Sequence, residues 1–387
     1  MTRNTTIFAL ATTTTLILSA TSAFALEPPT AEQIERYRMD GTIAARADAA
    51  RAFGNHRMSP QLAARFSAAA TTKALPEEPK VLPSDGSPRV LTLLIAFADM
   101  PGHTDPTVVD DRIFGDGEPQ TFPYESLTAF YRRASYGQLE IAGSALGWYT
   151  TDYPREDVVE SYVGRQSLIK EVMTHYDTEG HDFSQYDNDG DGYIDYLAVI
   201  WTGAHGEWAE FWWGYQTSFW NDAFTVDGVQ IGTYSWQWEN YNWPGEFTPE
   251  VLIHETGHAL GLPDYYDYDD AVGPKGGAGG MDQMDSNWGD HNAFSKWVLG
   301  WLEPRVFNED FHDVVLSPTD EFPDAAVFMH GDPITDPYAE YFMVQVRRQT
   351  GNDVELPNQG VIIWHVDART DAGGGFLFDN SCTCLLY

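Results

Sequence analysis

Residues 254–264, HETGHALGLPD, restrict this chain more than any other stretch. Histidines four apart on a helix sit one turn above each other, so their imidazoles project side by side. The flanks supply helix signals: Thr248 as N-cap, Pro249 at the first helical position, Glu250 in the first turn and Gly261 as the stop. The spacing predicts a helix over 249–260 on which His254 and His258 can share one tetrahedral zinc ion. Glu255, one residue round the helix, reaches the open position beside the metal, where a general base belongs. Gly261 permits the turn that returns Asp264 as a third, oxygen ligand. No glutamate occurs between His258 and Glu303, which disfavours a downstream glutamate in that role. Asp267, Asp269 and Asp270 are rival ligands, better suited to a solvated acidic loop or a second cation site.

A second motif is YDNDGDGYID, residues 186–195. Asp187, Asp189, Asp191 and Asp195 stand at loop positions one, three, five and nine, with Gly192 at the sharp turn and Tyr193 where a backbone carbonyl would serve. Hard oxygen ligands at this spacing suit Ca²⁺, which offsets the repulsion among clustered carboxylates. Ala198 stands where an EF-hand has its last glutamate, so the loop is of another type and runs straight into the strand YLAVIW.

Composition sets the broader class. With 43% hydrophobic and 21% charged residues the 387-residue chain is globular, and its formal net charge of −36 argues against a polyanionic partner such as nucleic acid. Residues 1–80 hold nine Lys and Arg against seven Asp and Glu, leaving 13 basic and 51 acidic residues beyond. The basic start is thus a separate unit from the acidic remainder. Arg3, an apolar and hydroxylic run and AFA at 23–25 read as a signal peptide over 1–25, implying export and no stable membrane insertion afterwards. Residues 26–88 read as a helical pro-segment followed by a Pro-rich, cleavable linker. The two cysteines, Cys382 and Cys384, are too close for an unstrained bridge, so the fold does not rest on disulfides.

From Arg89 onwards strands alternate with helices. Strands are expected at 90–99 and 139–149 and helices at 124–135 and 155–176, the last with acidic residues in its first turn. This predicts an α+β fold with a mixed twisted sheet, a catalytic domain over 89–305 and a β-rich region over 306–387. The tryptophan-dense stretch 201–243 is cleft wall or core, core being the usual fate of such residues. Zinc peptidases with an extended HExxHxxGxxH/D motif place a methionine turn beneath the metal. Met284, in GGMDQMDSNWG, is the candidate for it and Met281 the alternative.

The chain resembles the immune inhibitor A family of secreted bacterial metallopeptidases, a metzincin-like group. The resemblance lies in HETGHALGLPDYYD, GGMDQMDSNWG, FSKWVLGWLEP, DNDGDGYIDYLAVIW and EYFMVQVRRQTGNDVELPNQGVIIWHVD. It implies a zinc endopeptidase with bound calcium, secreted as a zymogen and acting on protein or peptide substrates, with His254, His258 and Asp264 as ligands and Glu255 as base. Its own pro-segment is then an inhibitor, docked in part through Arg36, Arg38, Arg46, Arg51, Arg57 and Arg65. The competing class is a non-catalytic, calcium-stabilised extracellular binding protein that uses the tryptophans. A base beside the metal has no purpose in such a module.

Overall fold

The computed structural model describes residues 29, 31–66, 81–117, 123–220, 223–268, 277–309 and 313–369. The signal segment 1–25, residues 67–80, Asp269, Asp270, Cys382 and Cys384 lie outside these. Three short helices lead: α1 (Ala31–Asp40), α2 (Ile43–Phe53) and α3 (Pro60–Ala64). There follow β1 (Arg89–Ala96), α4 (Pro106–Phe114), α5 (Leu127–Ala134), β2 (Ala142–Thr150), α6 (Tyr162–Thr178), β3 (Tyr193–Trp201), β4 (Tyr215–Ser218), β5 (Gln230–Trp238) and α7 (Glu250–Ala259). Then come α8 (Gln283–Ser286), α9 (Ala293–Val298), β6 (Arg305–Phe307), β7 (Ala326–Phe328), β8 (Glu340–Arg347) and β9 (Gly360–Asp367).

The first sheet has the order β2-β1-β3-β5-β4. Its first four strands are parallel and β4 is antiparallel at the edge, with Tyr215 opposite Trp236. β1 and β3 are apolar runs without alternation because both faces of the sheet are covered, as parallel sheets require. Strand periodicity divides them: Val90, Leu94, Tyr196 and Ile200 face a core shared with α5 and α7, while Leu91, Leu93, Leu197 and Trp201 face one shared with α6 and the N-terminal helices.

The second sheet, β6-β7-β8-β9, is also mixed, so the architecture is α+β with two mixed sheets. β8 buries Tyr341, Met343, Gln345 and Arg347 and leaves Phe342 exposed, the alternation of a strand with one solvated face. Its inner side chains join the same core as α7 and α9.

Three local expectations change. The helix expected over 155–176 splits: Arg155–Asp157 form a separate 3₁₀ turn, and α6 begins after Ser161, whose side chain accepts from Gly164 N. The acidic residues therefore sit outside the helix, because a local cap competes with continuation. α7 starts one residue later than expected, with Pro249 at the cap position and no side-chain capping bond. Residues 81–88, read as the end of a linker, are docked: Leu82 N donates to Ala259 O (2.8 Å) and Ser84 O accepts from Trp301 Nε1 (2.6 Å).

Candidate functional site

α7 is buried along its length, which explains its mostly apolar face and the glycine within it. A Cβ on Gly257 would lie 2.3 Å from the Met284 sulfur, so the small residue lets the loop carrying Met284 close beneath the helix. Met284 is fully buried there, whereas Met281 is only partly buried and offers its carbonyl to Arg347. That loop also orients the first histidine, since His254 Nδ1 faces Gln283 O at 2.9 Å. His258 Nδ1 faces Leu262 O at 2.8 Å.

Gly261 takes φ +101°, a conformation that glycine adopts without the penalty of a Cβ, and the chain reverses. This returns Asp264 beneath the histidines. Its Oδ1 lies 2.9 Å from His254 Nε2 and 3.3 Å from His258 Nε2, and the two Nε2 atoms are 3.1 Å apart. Tyr268 donates its hydroxyl to the other oxygen, Oδ2, at 2.5 Å.

Tautomers follow from the partners. A backbone carbonyl only accepts, so both Nδ1 atoms carry the proton and both Nε2 atoms present lone pairs. Burial lowers the His254 pKa below the ordinary histidine value, keeping it neutral. Three acceptors thus converge with no hydrogen to share, an arrangement a cation relieves. The three residues can hold a metal ion, and the donor set of two imidazoles and one carboxylate fits that demand.

Glu255 is also fully buried, and no side chain hydrogen-bonds either carboxylate oxygen. Burial, with the Asp264 charge adding to it, pushes its pKa well above the glutamate range, while the Gln216 amide of β4 opposes the shift. Such a carboxylate beside three converging acceptors is costly unless a proton or water partner serves it.

The acidic loop is separate. Asp187, Asp189 and Asp191 bring carboxylate oxygens within 4.8 Å of one another. Asp187 holds the turn by accepting from the Gly190 (2.8 Å), Asp191 (3.0 Å) and Gly192 (3.0 Å) amides. Tyr193 opens β3 directly afterwards, its N–H donating to Asp191 Oδ1 at 3.0 Å. Asp195 lies outside the three-carboxylate group. A buried residue of β3, it accepts from Asn188 N (3.0 Å) and Nδ2 (2.8 Å) through Oδ2, while its Oδ1 has no hydrogen-bond partner. Burial lifts its pKa to about 6 against those bonds, with the Asp189 and Asp191 charges adding to the rise.

The N-terminal segment is bonded to the loop that follows α7 and carries Asp264. Asn55 O accepts the amide of Asp264 (2.7 Å), and Ser59 N donates to Gly261 O (2.9 Å). Arg36 and Tyr37 reach Glu207, while Arg46 reaches Glu210 (3.1 Å) and Trp208 O (2.8 Å). Arg65 donates to Leu299 O (2.6 Å), and Arg38 and Arg51 pair within their own helices. Of the tyrosines after Asp264, Tyr265 is committed to Ser295 Oγ (2.7 Å) and Tyr268 to Asp264. Trp201, Trp208, Trp213, Trp236 and Trp238 are core, and Trp220 is exposed. His365 lies on β9 beside Glu340 (3.3 Å), in the second sheet. Sequence reading missed Asn55 and Gln216, which carry no motif and act through their backbones.

No protein-family model matches the chain. Among curated proteins it is similar to Immune inhibitor A of Bacillus thuringiensis subsp. alesti, 25% identical over 231 residues, covering 47% of this chain and 34% of that protein. The chain thus spans about a third of that relative's length. This is distant homology and supports a related family.

Proposed function

We propose that this chain is a secreted zinc endopeptidase with a metzincin-like catalytic domain over 89–305 and a β-rich region following it. One observation carries the reading: His254 Nε2, His258 Nε2 and Asp264 Oδ1 converge within 3.3 Å, with the Glu255 carboxylate, bonded by no side chain, on the same helix. Bound by those three atoms, zinc would polarise the scissile carbonyl and a water at its open position. Glu255 takes a proton from the attacking water and passes it to the departing amine nitrogen. The Gln283 and Leu262 carbonyls hold the imidazoles in the donor tautomer, and Tyr268 holds Asp264. The distant relative supports a peptidase reading. The burial of the tryptophan-dense region speaks against a tryptophan-based binding module. Metal analysis of purified protein alongside a casein digest tests the proposal: absence of both zinc and cleavage removes it.

Asp187, Asp189, Asp191 and Asp195, with the Tyr193 carbonyl, form the proposed calcium site. Free calcium at a hundredfold excess over Kd should stabilise the fold by about 2.7 kcal/mol through linkage. The double variant Asp189→Asn, Asp191→Asn should lose that response while zinc content stays the same. A melting temperature indifferent to calcium in the parent protein counts against the site.

Residues 26–88 act as the proposed pro-segment, with cleavage falling in the 76–88 linker. No helix among the described residues is long and apolar enough to cross a membrane. Its exposed pairs, Arg36–Glu207 and Arg46–Glu210, each contribute at most about 1 kcal/mol and are screened by salt. The Asn55 and Ser59 backbone bonds are not. Nicking the 76–88 linker should therefore raise casein hydrolysis, by about tenfold or more if release of the segment recovers only 1.4 kcal/mol. Added salt should enhance the gain modestly. Equal activity before and after nicking makes the segment a folding aid.

A further inference from the structure

The last residue of α2, Phe53, is stacked on Tyr215 of β4, with ring centroids 4.0 Å apart and planes at 12°. Half-buried, it forms part of the lining of a small recess with Trp208, Trp213, Tyr215, Tyr266, Tyr268 and Asp264, whose remaining space is about 20 Å³. Each of these five aromatic residues is buried beneath the N-terminal segment. The recess adjoins the proposed chemistry from two sides. Asp264 and Tyr268, which form one wall, are bonded to each other at 2.5 Å. Tyr215 precedes Gln216, whose amide faces Glu255.

We infer that this recess is a substrate side-chain subsite selecting a large aromatic residue beside the scissile bond, and that Phe53 of the chain's own N-terminal segment occupies it. The inference rests on the peptidase reading. A recess with one aromatic wall on which a ring stacks favours a ring over an aliphatic chain or alanine, which leaves a void. The buried Asp264 in its wall disfavours an acidic side chain there. Stacking on Tyr215 also gives the otherwise alanine-rich helix IAARADAARAF a large side chain with which to hold the segment there.

The test uses the full chain. Phe53→Ala empties the slot while the Asn55 and Ser59 backbone bonds remain. By calorimetry, this variant should bind N-acetyl-phenylalaninamide about tenfold more tightly than N-acetyl-alaninamide, from the apolar area buried. The parent protein, with Phe53 seated, should show no such preference. Phe53→Leu, a milder change, should show a smaller preference and carries the test if the alanine variant fails to fold. Equal binding of the two probes by the variants overturns the subsite. Separately, casein cleaved by the nicked parent protein should show Phe, Tyr or Trp enriched roughly fivefold or more at one position flanking the cut. Cleavage without that enrichment also overturns the subsite. Aromatic preference in binding with no cleavage leaves the slot standing and removes the peptidase reading instead.

Discussion

Glu255→Gln should retain zinc at one equivalent yet lose casein hydrolysis by about 10³-fold or more, the scale expected when a general base is removed. The substitution keeps the shape of the side chain, so His254, His258 and Asp264 are undisturbed. It also removes a buried carboxylate with no side-chain partner, and so should not lower stability. His258→Ala should lose both zinc and activity, because His254 and Asp264 alone make an incomplete set. Zinc content and turnover measured on the same samples separate the two roles. Retained proteolysis in the glutamine variant would remove Glu255 as the base, and retained zinc in the alanine variant would remove His258 as a ligand.

The largest stability effect is expected at Arg347, far from α7 in sequence. Its guanidinium is paired with Asp353 in full burial, donates to Asp290 O at 2.9 Å and also bonds Met281 O. Asp353 in turn accepts the Asp290 amide at 2.7 Å, and Asp290 pairs with the buried Lys296 at 2.5 Å. This network fastens the 277–290 loop, with its Gln283 carbonyl, to the second sheet. Arg347→Met would strand the Asp353 carboxylate and two carbonyls, costing about 3–5 kcal/mol. The urea midpoint should fall accordingly, and zinc affinity should weaken because His254 loses its orienting partner. Arg347→Met combined with Asp353→Leu should recover part of the stability, since the uncompensated charge is gone. A single variant as stable as the parent would mean that the loop is held by apolar packing alone.

The parts legible in the sequence are those whose geometry closes within a few residues. An i,i+4 spacing fixes the histidines of α7 on one face, and a glycine at 261 fixes the reversal that brings Asp264 back, before any other element is placed. Alternate aspartates at 187, 189 and 191 converge because one turn folds them together. The apolar run of β1 announces a doubly covered strand. Asp195, at loop position nine, lies within β3, where its Oδ2 accepts from Asn188 and its Oδ1 has no hydrogen-bond partner. The split of the helix expected over 155–176 was decided by a single capping serine.

What tertiary structure alone decided lies between residues distant in the chain. β4 is four residues, YQTS, with no alternation of apolar and polar side chains to announce it, yet it supplies the strand beside Glu255. Phe53 meets Tyr215, Asn55 meets Asp264 and Arg347 meets Met281 and Asp290 only after the sheets have assembled. Composition suggested that a basic N-terminal segment would meet an acidic domain. The structure shows that backbone bonds and one aromatic ring also seat it. Side-chain type and spacing encode local geometry, whereas which distant surfaces meet depends on the shape of the whole packed core.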